Sequence, residues 1–163
     1  MRPFRKAFVV ALALALPLAA VSAEVSSDTT PGVNFAAYTT FSFASTTPPA
    51  GLDPVAFERI VMDVQSGLEG KGYTNAAQGG DLSVIITVGE QDKTDVSSWG
   101  RFGLQTDVYQ YTQGQLSVDV FDTKTKQPLW HGQATETVNP GRTNPAKIDK
   151  EVGEVMARFP ARA

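Results

Sequence analysis

Two segments of this chain carry the same signature of a helix start, and an apolar stripe follows each of them. Asp53-Pro54 and Asn144-Pro145 both place an N-cap acceptor before the one residue that favours the first helical position. Residues at helical spacing then share one face: Phe57, Ile60, Val61, Val64 and Leu68 in the first segment, and Ile148, Val152, Val155, Met156 and Phe159 in the second. Two amphipathic helices are predicted, the first ending at Gly70-Lys71-Gly72 and the second near Pro160.

Three other segments alternate with the period of a β-strand. In residues 81–88, Leu82, Val84, Ile86 and Val88 share one face, and in residues 109–122 the apolar face holds Leu116, Val118 and Val120. The turn 123–127 joins the latter to 128–138, where Pro128 is tolerable as the first residue of a strand, so a hairpin is predicted. Residues 35–43 are rich in aromatic and β-branched residues and predict an edge or near-edge strand.

The order strand, helix, strands, helix favours an α+β fold. We expect a two-layer sandwich in which a mostly antiparallel sheet of about four to five strands carries two amphipathic helices on one face. Residues 35–163 form the single predicted domain, and the polar residues 24–34 are predicted to be a flexible entry segment. Residues 89–108 show no clear period and predict a long loop.

Residues 1–23 have the pattern of a cleaved secretory signal peptide. Arg2, Arg5 and Lys6 precede a short apolar run, which ends in the small-residue site Val21-Ser22-Ala23. Cleavage before Glu24 would leave 140 residues, enough for one domain with a sizeable core. We therefore expect a periplasmic protein, with release outside the cell as the alternative. An uncleaved signal anchor is the rival interpretation of this segment.

Composition excludes several classes of chemistry and partner. Loss of the three basic residues takes the net charge from −3 to −6, which disfavours nucleic acid and anionic lipid surfaces. The chain has no cysteine, so no disulfide stabilises the fold and no Cys-based catalysis is available. Because Glu24 stands where a bacterial lipoprotein needs cysteine, no stable membrane anchor is expected after cleavage. We expect no cofactor and no metal.

Three groups of residues invite a functional interpretation but are better explained as structure. His131 is the single histidine and has no serine-hydrolase motif around it, so a hydrogen-bonded strand residue is favoured over a catalytic base. The glycines around Lys71 follow a helix instead of opening one, which favours a turn over a phosphate cradle. Glu90, Asp92 and Asp95 lack the calcium-loop pattern, so a solvated acidic segment is favoured over a calcium site.

Several short motifs occur in an order that resembles a known bacterial family. They are Tyr38-Thr39-Thr40-Phe41, Lys71-Gly72-Tyr73, Asp81-Leu82, the stretch from Gly114 to Asp122, Pro128-Leu129-Trp130-His131-Gly132, and Phe159-Pro160. Together they resemble the domain of unknown function 4136. The resemblance implies an exported envelope protein, commonly a lipoprotein, with no established activity. This chain departs from the pattern by lacking the lipoprotein cysteine and by having His131 where similar proteins often have Arg.

Two aromatic sets are the candidate binding residues. Trp99, Arg101 and Phe102 lie in the predicted 89–108 loop, where exposed aromatic and Arg side chains would be good anchors. Tyr109, Tyr111 and Trp130 would form a second set if their strands pair. In both sets, packing against the sheet is the competing explanation.

The leading hypothesis is a non-catalytic envelope protein that binds another envelope protein or an apolar, envelope-derived ligand. An exported hydrolase using carboxylates or a Ser/His site is one alternative. A structural module that recruits a partner through an exposed strand edge is the other. The sequence does not identify the ligand, the partner or the oligomeric state.

Overall fold

The computed structural model describes residues 23–99, 105–138 and 144–162, which form one six-stranded mixed sheet and two helices. The predicted signal peptide lies outside these residues except for its last residue, Ala23. The strands are β1 (Glu24–Thr29), β2 (Thr40–Phe43), β3 (Thr74–Asn75), β4 (Leu82–Trp99), β5 (Gln105–Asp122) and β6 (Pro128–Val138). The helices are α1 (Pro54–Gly70) and α2 (Pro145–Ala157). The strand order is β1-β6-β5-β4-β2-β3, with β2 parallel to both of its neighbours and the other pairs antiparallel.

Both predicted helices are confirmed. The Asp53 carboxylate accepts a hydrogen bond from the Val55 N–H at 2.9 Å, and Pro54 opens α1. The helix ends at Gly70, and Gly72 turns the chain with a φ of 93°, a conformation that glycine adopts without strain. Pro145 opens α2 in the same way, although the Asn144 side chain makes no capping hydrogen bond. The cap-then-proline pattern therefore located both helix starts.

The two helices cover one face of the sheet. On β4 and β5 this face carries the even-numbered residues, among them Leu82, Val84, Val118 and Val120, all of which are fully buried. Val64, Leu68, Val152 and Val155 of the helices enter the same core. The predicted two-layer α+β architecture is thus confirmed in outline. The odd-numbered residues of β4 and β5 form the opposite face, called the open face below.

The structure corrects the prediction at four places. The sheet has six strands where four to five were predicted; it is mostly antiparallel, as predicted, with two short parallel pairings. The predicted entry segment 24–34 is wrong over its first half, because Glu24–Thr29 pair with β6 as an edge strand. The predicted strand 35–43 contains a 3-10 turn at Phe35–Ala37, and the strand itself is only Thr40–Phe43.

The fourth correction concerns the predicted loop 89–108, because its described residues 89–99 and 105–108 belong to strands. β4 continues to Trp99 and β5 begins at Gln105, with an unbroken antiparallel register from Leu82↔Asp122 to Trp99↔Gln105. We call residues 89–99 and 105–115 the ribbon. At about 3.4 Å per residue it extends roughly 35 Å from the helix-covered part of the sheet. None of residues 89–95 is buried, so nothing in this part of the ribbon requires an apolar face.

Candidate functional site

Of the first predicted binding set, only Trp99 lies within the described residues, at the tip of the ribbon. Trp99 is the last described residue of β4, and its backbone pairs with Gln105. Arg101 and Phe102 lie outside the described residues. The structure therefore gives the position of Trp99 in the sheet and leaves its role as an anchor a prediction.

The second predicted set is not brought together. Tyr109 and Tyr111 pair with Asp95 and Lys93 on the ribbon, whereas Trp130 pairs with Val120 in the helix-covered part of the sheet. Nine residues of β5 separate the register positions of Tyr111 and Trp130, a distance of roughly 30 Å along the strand. Trp130 is also 3% exposed. The prediction of a shared aromatic surface is wrong because the register of the hairpin pairs Trp130 with Val120, far along β5 from Tyr109 and Tyr111.

Trp130 instead belongs to an aromatic cluster in the core. The rings of Phe35, Tyr73 and Trp130 each lie edge-on to Phe159, with centroids 5.0 to 5.6 Å apart. Gly132 lies directly beneath the Trp130 indole, and a Cβ at this position would come within 2.0 Å of a ring atom. Edge-to-face pairs of this kind stabilise a core beyond their buried area. The Trp130-His131-Gly132 and Phe159-Pro160 motifs therefore join β6 to the end of the chain.

A second group of motif residues forms a polar joint at the start of the central strands. The backbone N–H and the hydroxyl of Thr39 both donate to Asp81 Oδ2 at 2.9 Å, and the Thr40 N–H donates to the same oxygen at 3.1 Å. In return, the Asp81 N–H donates to the Thr40 hydroxyl at 3.0 Å. These hydrogen bonds, first those from Thr39, lower the pKa of Asp81 to about 2. They fix β2 beside β4.

Asp122 makes a second joint beside the first, at the end of β5, where the Thr123 N–H donates to the Asp81 carbonyl at 3.0 Å. Its Oδ1 accepts the N–H groups of Lys124 and Thr125 at 2.8 Å, and its Oδ2 accepts the Tyr38 hydroxyl at 3.1 Å. The turn hydrogen bonds lower the pKa of Asp122, whereas burial and the contact with Asp122 raise the pKa of Tyr38. Sequence reasoning recognised these motifs without assigning a role to them. The structure shows that they join secondary-structure elements.

His131 lies on the open face of the sheet and forms a small charged cluster there. Its Nδ1 is 2.7 Å from Asp119 Oδ1, and its Nε2 is 3.4 Å from Gln133 Oε1. The hydrogen bond with Asp119 raises the pKa of His131, partly opposed by burial, and Asp28 of β1 adds a weaker attraction. The predicted interpretation of a hydrogen-bonded strand histidine is confirmed. No Ser or Thr hydroxyl is among the partners of His131 in the described part of the chain.

The acidic residues Glu90, Asp92 and Asp95 lie in β4 and do not converge. Glu90 and Asp92 share one face of the ribbon, and Asp95 lies on the other face, because successive strand residues alternate. Asp92 accepts a hydrogen bond from the Thr112 hydroxyl at 2.9 Å. Nearby, Thr87, Gly89, Glu90, Gln91 and Gln115 line a surface depression that is open to solvent and partly polar. This depression does not resemble an apolar ligand site.

Among the described residues, the longest strand edge without a pairing partner is one side of β4, called the β4 edge below. β2 pairs with β4 only from Leu82 to Val84, and the Ala44 N–H donates to the Val84 carbonyl at 2.9 Å. The N–H and C=O groups of successive residues alternate in direction along a strand, so those of the even-numbered residues of β4 point away from β5. No other described strand pairs with this side from Ile86 to Trp99. The β4 edge therefore presents a row of available N–H and C=O groups.

The fold and these joints define a two-layer α+β domain. The motif residues in it connect its secondary-structure elements to one another. The chain belongs to the family described as domain of unknown function (DUF4136), whose model matches residues 25–161. A solved DUF4136 family protein from Bacteroides thetaiotaomicron is similar over 87% of this chain and 98% of its own, at 17% identity and a TM-score of 0.59. No curated protein matches the chain.

Two further solved structures share the fold. A PDZ domain protein from Parabacteroides distasonis matches 85% of this chain at 15% identity and a TM-score of 0.60, and this chain spans 36% of its length. A PelC dodecamer from Paraburkholderia phytofirmans matches 86% of this chain and 99% of its own, at 12% identity and a TM-score of 0.52. Within the described residues, neither α1 nor α2 is long and apolar enough to span a membrane.

Proposed function

We propose that this chain is an exported envelope protein, acting in the periplasm as a non-catalytic binding or accessory domain. Its partner would add a strand to the β4 edge. The observation that carries this proposal is the row of backbone groups from Ile86 onward, which no described strand pairs. An added strand would satisfy these groups by main-chain hydrogen bonds, as in other cases of β-augmentation.

The ribbon is well placed for such a partner. Glu90, Gln91, Asp92, Thr94 and Asp95 are exposed, and β2 ends well before them. A long unpaired edge is a liability that proteins usually shorten, twist or cover. In β4 the register with β5 runs to Trp99 without a bulge, so the edge stays regular and able to pair.

The apolar-ligand version of the hypothesis has less support. The two helices and the sheet bury a continuous core, and the largest side chains in it, including Phe41 and Phe159, are fully buried. The surface depression beside Gly89 is open and partly polar. Apolar ligands favour enclosed, predominantly apolar sites. For the hydrolase alternative, the described partners of His131 include no nucleophile.

Export rests on residues 1–23, where a basic start, a short apolar run and Val21-Ser22-Ala23 fit a cleaved signal peptide. Cell fractionation with mass spectrometry of the intact protein tests this part. We expect the protein in the periplasmic fraction with Glu24 at its N-terminus. A cytoplasmic protein that begins at Met1 would contradict export.

Site-specific photo-crosslinking in the cell tests the binding role. We would place a photoreactive amino acid at Thr94 on the β4 edge and, as the matched control, at Glu58, which is exposed on α1. Adducts are expected from Thr94 and not from Glu58. Asp92→Pro should abolish the adducts. The Asp92 N–H points away from β5, so proline at this position removes a hydrogen-bond donor from the β4 edge and none from the pairing with β5. Adducts from Glu58 alone, or none at all, would show that the β4 edge is not the binding surface.

A further inference from the structure

We infer that the partner strand at the β4 edge is β4 of a second copy of this chain, paired antiparallel about a twofold axis at Thr94. This inference rests on the proposed function, since it names the occupant of the same edge. Its basis is the charge pattern of residues 90–95, which is complementary to itself in one register only.

The direction of the backbone limits the possible registers. In a regular antiparallel ladder, residues directly opposite each other both point their N–H and C=O groups toward the partner or both point them away. The backbone N–H and C=O groups of even-numbered β4 residues point away from β5, as the hydrogen bond from the Ala44 N–H to the Val84 carbonyl shows. A twofold axis can therefore pass beside any residue n, so that residue n+1 of one copy faces residue n−1 of the other.

Charge then selects among the six axes from residue 90 to residue 95. Axes at Glu90, Asp92, Lys93 and Asp95 place each of these residues opposite its own copy, so that like charges face each other. An axis at Gln91 places Glu90 opposite Asp92, again two carboxylates. Like charges directly opposite each other destabilise a sheet. Of these six axes, only the one at Thr94 places no two like charges opposite each other among the residues from Glu90 to Asp95.

The Thr94 axis also creates two favourable pairs. Lys93 of each copy lies opposite Asp95 of the other, and both side chains are on the open face of the ribbon. Neither of them forms a salt bridge within the described part of a single chain, so both are available to a partner. Thr94 exchanges backbone hydrogen bonds with its copy, and the paired segment runs from Gly89 to Trp99. The contact is isologous and closed, as most dimer interfaces are.

Charge exchange tests this pairing in the processed, full-length protein by sedimentation equilibrium. Lys93→Asp should weaken the dimer about tenfold or more, because it puts two carboxylates opposite each other twice. Asp95→Lys should weaken it for the corresponding reason. The double variant Lys93→Asp with Asp95→Lys restores both pairs and should recover dimerisation to within about threefold. If the double variant is as weak as the single ones, the register is wrong.

Disulfide trapping tests the register independently, because the natural chain has no cysteine. Chains carrying Lys93→Cys, mixed with chains carrying Asp95→Cys, should form mainly the mixed disulfide under mild oxidation. Each variant alone should crosslink far less, since residue 93 of one copy then lies about 8 Å from residue 93 of the other, beyond disulfide reach. Equal trapping in all three samples would overturn the inference.

The outcomes separate this inference from the proposed function. A monomer at all concentrations, together with Thr94 adducts to a different envelope protein, would sink the dimer and keep the β4 edge as a binding surface. A dimer that is insensitive to Lys93→Asp and to Thr94→Pro would place the contact elsewhere. Thr94→Pro removes only an outward N–H, and circular dichroism of this variant should match that of the natural protein. The charge-exchange series remains decisive if Thr94→Pro unfolds.

Discussion

Replacement of Asp81 tests the assignment of the family motifs to structural joints. Asp81 Oδ2 alone accepts three hydrogen bonds, two from Thr39 and one from Thr40. Asp81→Asn keeps an oxygen acceptor at the same position and removes the charge. Asp81→Ala removes both. Comparison of the two variants therefore separates the contribution of charge from that of hydrogen bonding at the junction of β2 and β4.

The expected magnitude follows from the pKa of Asp81, which these hydrogen bonds lower from 3.8 to about 2. At about 1.36 kcal/mol per pK unit, this difference corresponds to at most about 2.4 kcal/mol. Because the carboxylate is only partly buried, screening by solvent reduces the contribution to about 1 kcal/mol. We expect that loss for Asp81→Asn. For Asp81→Ala we expect about 2 kcal/mol, because the three donors also lose their protein acceptor.

The pH dependence fixes the sign of the effect. A carboxylate whose pKa is lowered by folding stabilises the native state above its unfolded pKa and loses that contribution as the pH falls. The difference between natural protein and Asp81→Asn should be complete above about pH 5, about half at pH 3, and absent below about pH 1. Urea denaturation at pH 7 and pH 3 measures this difference in the free energy of unfolding, with Glu58→Gln, an exposed position on α1, as the control. A difference that is independent of pH would refute the reasoning.

Two further predictions concern the core and the open face. Gly132→Ala should lower the free energy of unfolding by about 2 kcal/mol or more, because the new Cβ would overlap the Trp130 ring. The control Gly153→Ala on α2 meets open space and should raise the free energy of unfolding by about 0.5–1 kcal/mol, measured by thermal unfolding. Equal effects of the two substitutions would show that the indole does not cover Gly132. Asp119→Asn should lower the pKa of His131 in an NMR titration of the single histidine. Folding raises the pKa of His131 above 6.5, so the destabilisation by Asp119→Asn should be present below pH 6.5 and fade as the pH rises through the pKa of His131 in the folded protein. An unchanged titration curve of His131 would contradict Asp119 as its partner.

The sequence predicted best those elements whose signal is local or which pack on the core. Asp53-Pro54 and Asn144-Pro145 located both helix starts, because capping and the fixed φ of proline act within one turn. The alternation over residues 82–88 located the buried half of β4, because one of its faces packs under the helices. None of residues 89–95 is buried, so nothing requires apolar residues to alternate there, and this part of the ribbon shows no apolar period.

The strands that were missed depend on tertiary pairing. β1 has only Val25 as an apolar residue, and its extended state comes from pairing with β6. β3 has two residues and forms beside β2 because the turn after α1 brings it there. The placement of Trp130 was missed for a related reason. Its pairing partner Val120 is set by the register that the turn between β5 and β6 imposes, which the apolar pattern of the strands does not specify.

Residue-resolved amide hydrogen exchange across a concentration series tests the β4 edge most directly. In the dilute monomer, the N–H groups of Glu90, Asp92 and Thr94 should exchange quickly, whereas those of Gln91 and Lys93, which face β5, should be protected. In the concentrated dimer, the first three should become protected as well. If they stay unprotected while sedimentation shows a dimer, the β4 edge is not the pairing surface and the account is wrong.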